Sequence, residues 1–170
     1  VGRLVKVKNF ADVIKAFNLF NKANKNWDLK IVGDGPEKEN LIQLVSDYHL
    51  EKYVEICQST SNIKQYYNHS KVYLMTSSWE GWGMVVTEAM QNGLAIISYD
   101  IPSSREIFGK YNVGIIVTKG DVEKLAASML QLAKNSDLLD ECSKTAIERA
   151  KMFDISVIGK RWEELINEEE

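Results

Sequence analysis

The sequence has little of what marks several common protein classes. Among its 170 residues there are only two cysteines, two prolines and two histidines. Cys57 and Cys142 lie far apart and without metal-ligand spacing, so neither a disulfide framework nor a cysteine metal centre is expected. Free thiols of this kind suit a reducing compartment, and Cys57, inside YVEIC, reads as a small buried hydrophobe. His49 and His69 have no carboxylate or second ligand at catalytic spacing nearby. No apolar run approaches the ~18 residues that span a bilayer, and no signal-peptide pattern occurs. Basic residues do not dominate: 21 Lys and Arg stand against 24 Asp and Glu, a net charge of −3, which argues against a nucleic-acid partner. Short nucleotide motifs are missing too. VGDGPEKEN begins like a dinucleotide fingerprint, but after Gly33 and Gly35 the third glycine position holds Lys38, and Pro36 intervenes. There is no G-x-x-x-x-G-K-[ST] loop, and Ser77 and Ser78 do not sit in a G-x-S-x-G elbow.

What remains is a regular alternation. Phe10, Val13, Ile14, Phe17 and Phe20 recur at helical spacing, with Asn9 expected as N-cap. LKIV, YVEIC, KVYLM, LAIISYD and VGIIV read as strands, and LAIISYD is apolar enough to be covered on both faces. Between and after them lie helical stretches. Gly93 is placed as a helix C′ residue, Asp121 as a cap and SSRE (Ser103 to Glu106) as a capping box. Such alternation predicts one α/β domain over residues 1–170: a Rossmann-like parallel sheet with helices on both faces. Val1 is expected in, or at the end of, a first strand, and the chain is read as a piece of something larger. Trp27 and Trp162 are expected to pack.

In open parallel sheets, ligands bind beyond the carboxyl ends of the strands. That selects the loops Gly2 to Asn9, Gly33 to Pro36, Gln58 to Ile63, Ser77 to Gly83 and Asp100 to Ser104. SSWEGWGMVVTEAM carries the most chemistry. Gly81 and Gly83 flank Trp82, whose ring is a candidate contact for a sugar face, and allow a sharp turn near a ligand. The helix starting near Gly83 presents unpaired N–H groups from Met84 and Val85, a site for phosphate oxygens. Glu88, one turn further on, suits two vicinal hydroxyls, because a carboxylate accepts two hydrogen bonds at once. Arg3 and Lys8, a planar fork and a mobile ammonium, suit a diphosphate. Gly33 is expected to let the chain pass close to the ligand.

These segments, in order, resemble the C-terminal, donor-binding half of retaining GT-B glycosyltransferases (the group-1 class, glycosyltransferase family 4). The most specific match is E-G-x-G-x-x-x-x-E-A-M, holding Glu80 and Glu88 eight positions apart. The resemblance implies that Glu88 holds the ribose and Glu80 faces the donor sugar. Arg3 and Lys8 would neutralise the departing diphosphate, and the backbone of Gly83 to Val85 would cradle it. Gln58 to Ile63 would lie by the base. It further implies a UDP- or GDP-sugar donor, no metal, and an acceptor held by an N-terminal domain of the full-length protein. A cytoplasmic location at the inner face of the membrane follows by class, any membrane contact belonging to that other half. Gln58 and Pro102-Ser103-Ser104 replace glycines common in relatives, which leaves base and sugar open. Competing readings are a GT-B phosphorylase or epimerase, a non-catalytic nucleotide-sugar module and, from the Rossmann layout alone, an NAD-dependent oxidoreductase.

Overall fold

A computed structural model describes residues 1–167. After a 3-10 turn at Lys6–Lys8 come α1 (Phe10–Ala23), β1 (Leu29–Val32), α2 (Lys38–Asp47), β2 (Val54–Cys57), α3 (Lys64–Asn68), β3 (Val72–Met75) and α4 (Met84–Gln91). Then follow β4 (Ala95–Tyr99), α5 (Pro102–Phe108), β5 (Gly114–Val117), α6 (Val122–Lys134), α7 (Ser136–Lys151) and α8 (Ile155–Asn167).

Pattern explains packing. The predicted stripe of α1 is buried from Phe10 to Phe20 and lies against α6. Each phenylalanine covered in this way contributes ~1.5–3 kcal/mol. Along β4 every residue is buried. Ala95, Ile97 and Tyr99 join a core with α1 and α6, while Ile96 joins a second core with α4, α5 and α7. A strand alternates its side chains between faces, so two cores require the continuous apolar run seen in the sequence. β3, β4 and β5 pair in parallel, with Val72 opposite Ala95 and Ile96 opposite Gly114. Their carboxyl ends open toward the loops named above.

Several expectations need correction. The strands form two parallel sheets, β1-β2 and β3-β4-β5, rather than one. Residues 1–4 are not a regular strand, although Gly2 N–H donates to Val32 C=O (3.0 Å) and Leu4 N–H to Asp34 C=O (2.9 Å). SSRE does not cap a helix. Ile101 is the N-cap and Pro102 occupies the first turn of α5, where its fixed φ suits helix entry. Ser104 instead donates to the Tyr99 carbonyl at 2.6 Å. Asn9 precedes α1 but adopts a left-handed conformation (φ 49°) and offers no side-chain cap. Trp162 does not pack: it is 63% exposed on α8, where no described residue is buried. Other expectations hold. Asp121 accepts the Lys124 N–H at 2.8 Å, Gly93 turns left-handed after α4 (φ 75°), and Trp27 meets Phe20 edge-on.

Candidate functional site

Three chain segments meet at the carboxyl ends of β1 and β3. The first, residues 1–9, is fixed on one side by the bonds to Val32 and Asp34. Gly33 and Gly35 make that contact close: a Cβ on Gly33 would stand 1.9 Å from the Gly2 carbonyl oxygen, and one on Gly35 2.4 Å from that of Leu4. Gly33 therefore serves the chain's own backbone first, whatever it also offers a ligand.

On its other side the same segment is stitched to the β3–α4 loop. The Asn9 side-chain amide donates to the Thr76 carbonyl (3.1 Å). Thr76 in return shares its hydroxyl between the carbonyls of Lys8 (2.9 Å) and Asn9 (3.1 Å). Ser78 N–H donates to the Val7 carbonyl at 2.8 Å. Held in this register, the Lys8 ammonium forms an ion pair with Glu80, and the buried Ser77 hydroxyl donates to the same Glu80 oxygen at 2.6 Å. Lys8 and Glu80 are only 21% and 14% exposed at their side chains. A pair so shielded is costly to leave half-made.

Beside this pair, a cleft of about 470 Å³ is lined by Arg3, Gly33, Asp34, Ser59, Ile63 and Glu88, among others. Glu88 reaches it from α4, which starts at left-handed Gly83 (φ 79°). The Tyr67 hydroxyl donates to Glu88 Oε2 (3.3 Å) and to the Val85 carbonyl (3.4 Å). Burial, reinforced by the Glu88 charge, pushes the Tyr67 phenol far above its ordinary range, so it remains a donor at every physiological pH. At the far wall Asp34 accepts from Lys38 (2.8 Å) and from the Ser59 N–H (2.8 Å). The Lys38 ammonium, then the Ser59 amide, hold the Asp34 carboxyl well below the usual carboxylate range.

Of the residues singled out in the sequence, the cleft gathers Arg3, Gly33, Ile63 and Glu88. Lys8 and Glu80 form the neighbouring pair. Gly83, Met84 and Val85 supply the first-turn N–H groups of α4, which have no partner within the helix. Others sit apart. Gln58 is exposed, and its neighbours Ser59 and Thr60 line the cleft instead. Gly81 faces open space: a Cβ there would meet nothing within 4 Å. Trp82 packs edge-on against Phe153, 5.1 Å between centroids. Tyr67, Ser77 and the Asn9–Thr76 latch go beyond what the sequence pattern indicates. Only the capping-like serine three residues before Glu80 leaves a local signal.

Chemically, the rim offers a guanidinium, an ammonium and helix amides to an anion, and a carboxylate to hydroxyls. Known proteins bear on this arrangement. Amylovoran biosynthesis glycosyltransferase AmsD of Erwinia amylovora is 32% identical over 167 residues, 98% of this chain and 47% of that protein. The chain thus spans about half the length of that relative. Among solved structures, HepE of Anabaena in complex with UDP matches with a TM-score of 0.88 at 22% identity, over 98% of this chain and 47% of that one. The C-terminal domain of the group 1 glycosyl transferase LpcC from Francisella tularensis gives 0.83 at 21%, over 91% of this chain and 84% of that one. Those two likenesses establish the fold, that of the C-terminal half of a GT-B glycosyltransferase. The family model described as glycosyl transferases group 1 matches residues 1–149, and the chain belongs to that family.

Proposed function

We propose that this domain holds a nucleoside-diphosphate sugar and, within a whole protein carrying a second Rossmann domain for the acceptor, transfers that sugar with retention at the anomeric carbon. One observation carries the reading: a single cleft unites Arg3 and Glu88, with Gly33, Ser59 and Ile63 in the same wall. Glu88, steadied by Tyr67, accepts the two ribose hydroxyls. Arg3 and the first-turn amides of α4 receive the diphosphate, the dipole there amounting to roughly half a positive charge. UDP is the assigned nucleotide, a choice supported by the UDP held in HepE, which has the same fold.

Transfer breaks the bond between the anomeric carbon and a diphosphate oxygen, and negative charge collects on that oxygen. Cations placed before the event lower the barrier, because they need no reorganisation as charge develops. Arg3 and Lys8 take this role. Glu80 holds Lys8 and keeps the pair near neutrality until the diphosphate arrives, and it faces the donor sugar. The scheme assigns no step to a metal ion. By itself the domain binds donor weakly and transfers nothing, since the acceptor belongs to the other domain.

Calorimetric titration of UDP, GDP, ADP and NAD tests this. Saturable binding of UDP, weakened by Arg3→Ala, is the expected result. Binding of NAD alone would overturn the donor assignment, and sugar transfer by this chain on its own would overturn the two-domain scheme.

A further inference from the structure

We propose that Arg149 and Phe153, at the carboxyl end of α7, are positioning residues for the β3–α4 loop. Through Trp82 they fix the part of the site assigned to the diphosphate, a role that rests on the donor reading.

The loop needs an anchor at its second half. Gly81 and Gly83 flank Trp82 there, and glycine has more backbone freedom to lose than any other residue. The first half is tied by polar contacts: Ser78 N–H to the Val7 carbonyl, then Ser77 and Lys8 to Glu80. These ties end at Glu80. Trp79 is 70% exposed and gives no hold. Trp82 is partly buried against the core that contains Val86 and Ile107. Its ring meets that of Phe153 edge-on, with centroids 5.1 Å apart and planes at 78°.

Arg149 in turn fixes Phe153. Its guanidinium carbon lies over the Phe153 ring, 4.5 Å from the centroid, and 5.0 Å from the centroid of Tyr111. A cation on the face of a ring is attracted by its quadrupole, which restricts the tilt of the ring. The same guanidinium is locked by three further contacts. Nε donates to the Ile107 carbonyl and Nη2 to the Glu106 carbonyl, both at 2.8 Å, and Nη1 donates to Met152 Sδ at 3.2 Å. Those two carbonyls belong to the last turn of α5, where they have no partner within the helix. No carboxylate of a described residue pairs with Arg149. The group therefore spends its planar fork on backbone and its faces on rings, a use that depends on shape as well as charge.

A second route runs from Arg149 to the same turn. Ile107, whose carbonyl it holds, packs beneath Gly83: Ile107 Cδ1 lies 3.8 Å from where a Cβ on Gly83 would stand. Arg149 thus bears on Trp82 and on Gly83, the residue at which α4 begins. Displacing that turn displaces the first-turn amides assigned to the diphosphate. Glu88 lies further along α4 and has its own tie to Tyr67 at 3.3 Å. The phosphate end of the site can therefore be loosened while the ribose end stays in place.

Phe153→Leu and Arg149→Lys, made in the full chain and read against Phe153→Tyr, test the brace. UDP affinity is measured by calorimetry, and that of uridine, which carries no phosphate, by NMR titration; slow amide exchange at Ile96 and Ile97 checks the fold of each variant. Phe153→Leu and Arg149→Lys should each weaken UDP by roughly 3–10-fold and leave uridine within about 2-fold, while Phe153→Tyr keeps UDP within about 2-fold. Lysine retains the charge but cannot hold two carbonyls and a ring face together. Full UDP affinity in Arg149→Lys would reduce the role to charge and overturn the proposal. Equal weakening of UDP and uridine would also overturn it, because the whole cleft would then be disturbed. The loop is read without ligand by backbone relaxation at Gly81, Trp82 and Gly83, whose order parameters should fall from about 0.85 toward 0.6 in the two disruptive variants. Unchanged order there would overturn the brace whatever UDP does. Loosening of the loop in a chain that binds no UDP would uphold the brace and overturn the donor reading.

Discussion

Replacing Glu88 with glutamine keeps the shape of the side chain and removes its charge, so it isolates the interaction assigned to the ribose. A hydrogen bond to a charged group contributes ~1.5–3 kcal/mol. Glu88 is only partly buried at the cleft wall, and Tyr67 already occupies one face of Oε2. Partial solvation favours the lower half of that range, ~1.5–2 kcal/mol, a ~10–30-fold loss of UDP affinity. Deleting the 2′-hydroxyl from the ligand removes one of the two assigned contacts from the other side. Two proteins and two ligands therefore make a cycle in which the effects overlap. Calorimetry should show the unaltered chain preferring UDP over 2′-deoxy-UDP by ~10-fold and Glu88→Gln by less than ~2-fold. Equal weakening of both ligands by Glu88→Gln would refute the assigned contact to the 2′-hydroxyl, because the charge would then be felt without it.

Three other perturbations test the surroundings. Thr76→Val removes the hydroxyl shared by the Lys8 and Asn9 carbonyls; urea titration should show a loss of ~1–3 kcal/mol, and Thr76→Ser should restore most of it. Gly33→Ala drives a Cβ into the Gly2 carbonyl, so UDP binding should fall below detection by calorimetry while circular dichroism still reports a folded chain. Asp34 is held below the usual carboxylate range by Lys38 and the Ser59 amide. A depressed folded-state pKa gives stability that is present above the unfolded value, ~3.9, and lost as pH falls through the folded one. Thermal melts of Asp34→Asn should accordingly show a flatter acid limb below pH ~4 than the unaltered chain.

How much of this is legible in the sequence depends on whether the cause is local. The stripe of α1 and the apolar run of β4 carry their own periodicity, and both are buried as their spacing predicts. Glu80 and Glu88 are legible because a loop and one helical turn keep both close to the same sheet edge. Tyr67 is not, since its tie to Glu88 crosses 21 positions, and the Asn9–Thr76 latch crosses 67. No short window of sequence contains both ends of such a contact. Asn9 departs from its expected capping role for the same reason: its side chain is drawn to Thr76 and leaves the helix end uncapped. SSRE has capping form, yet Pro102 starts the helix two residues earlier and carries both serines inside. Gly33 and Gly35 are legible as glycines and not as a docking edge, because the backbone they receive lies some thirty positions before them.

The central claim is that the cleft lined by Arg3 and Glu88 receives a nucleoside diphosphate. The most direct measurement is an amide-resolved NMR titration of the chain with UDP. Saturable shifts at Gly2, Arg3, Gly33, Ile63, Glu88 and the amides of Gly83 to Val85 are predicted, with α7 left unmoved. Saturating UDP that shifts none of these amides, or shifts that gather on another face, would contradict the account.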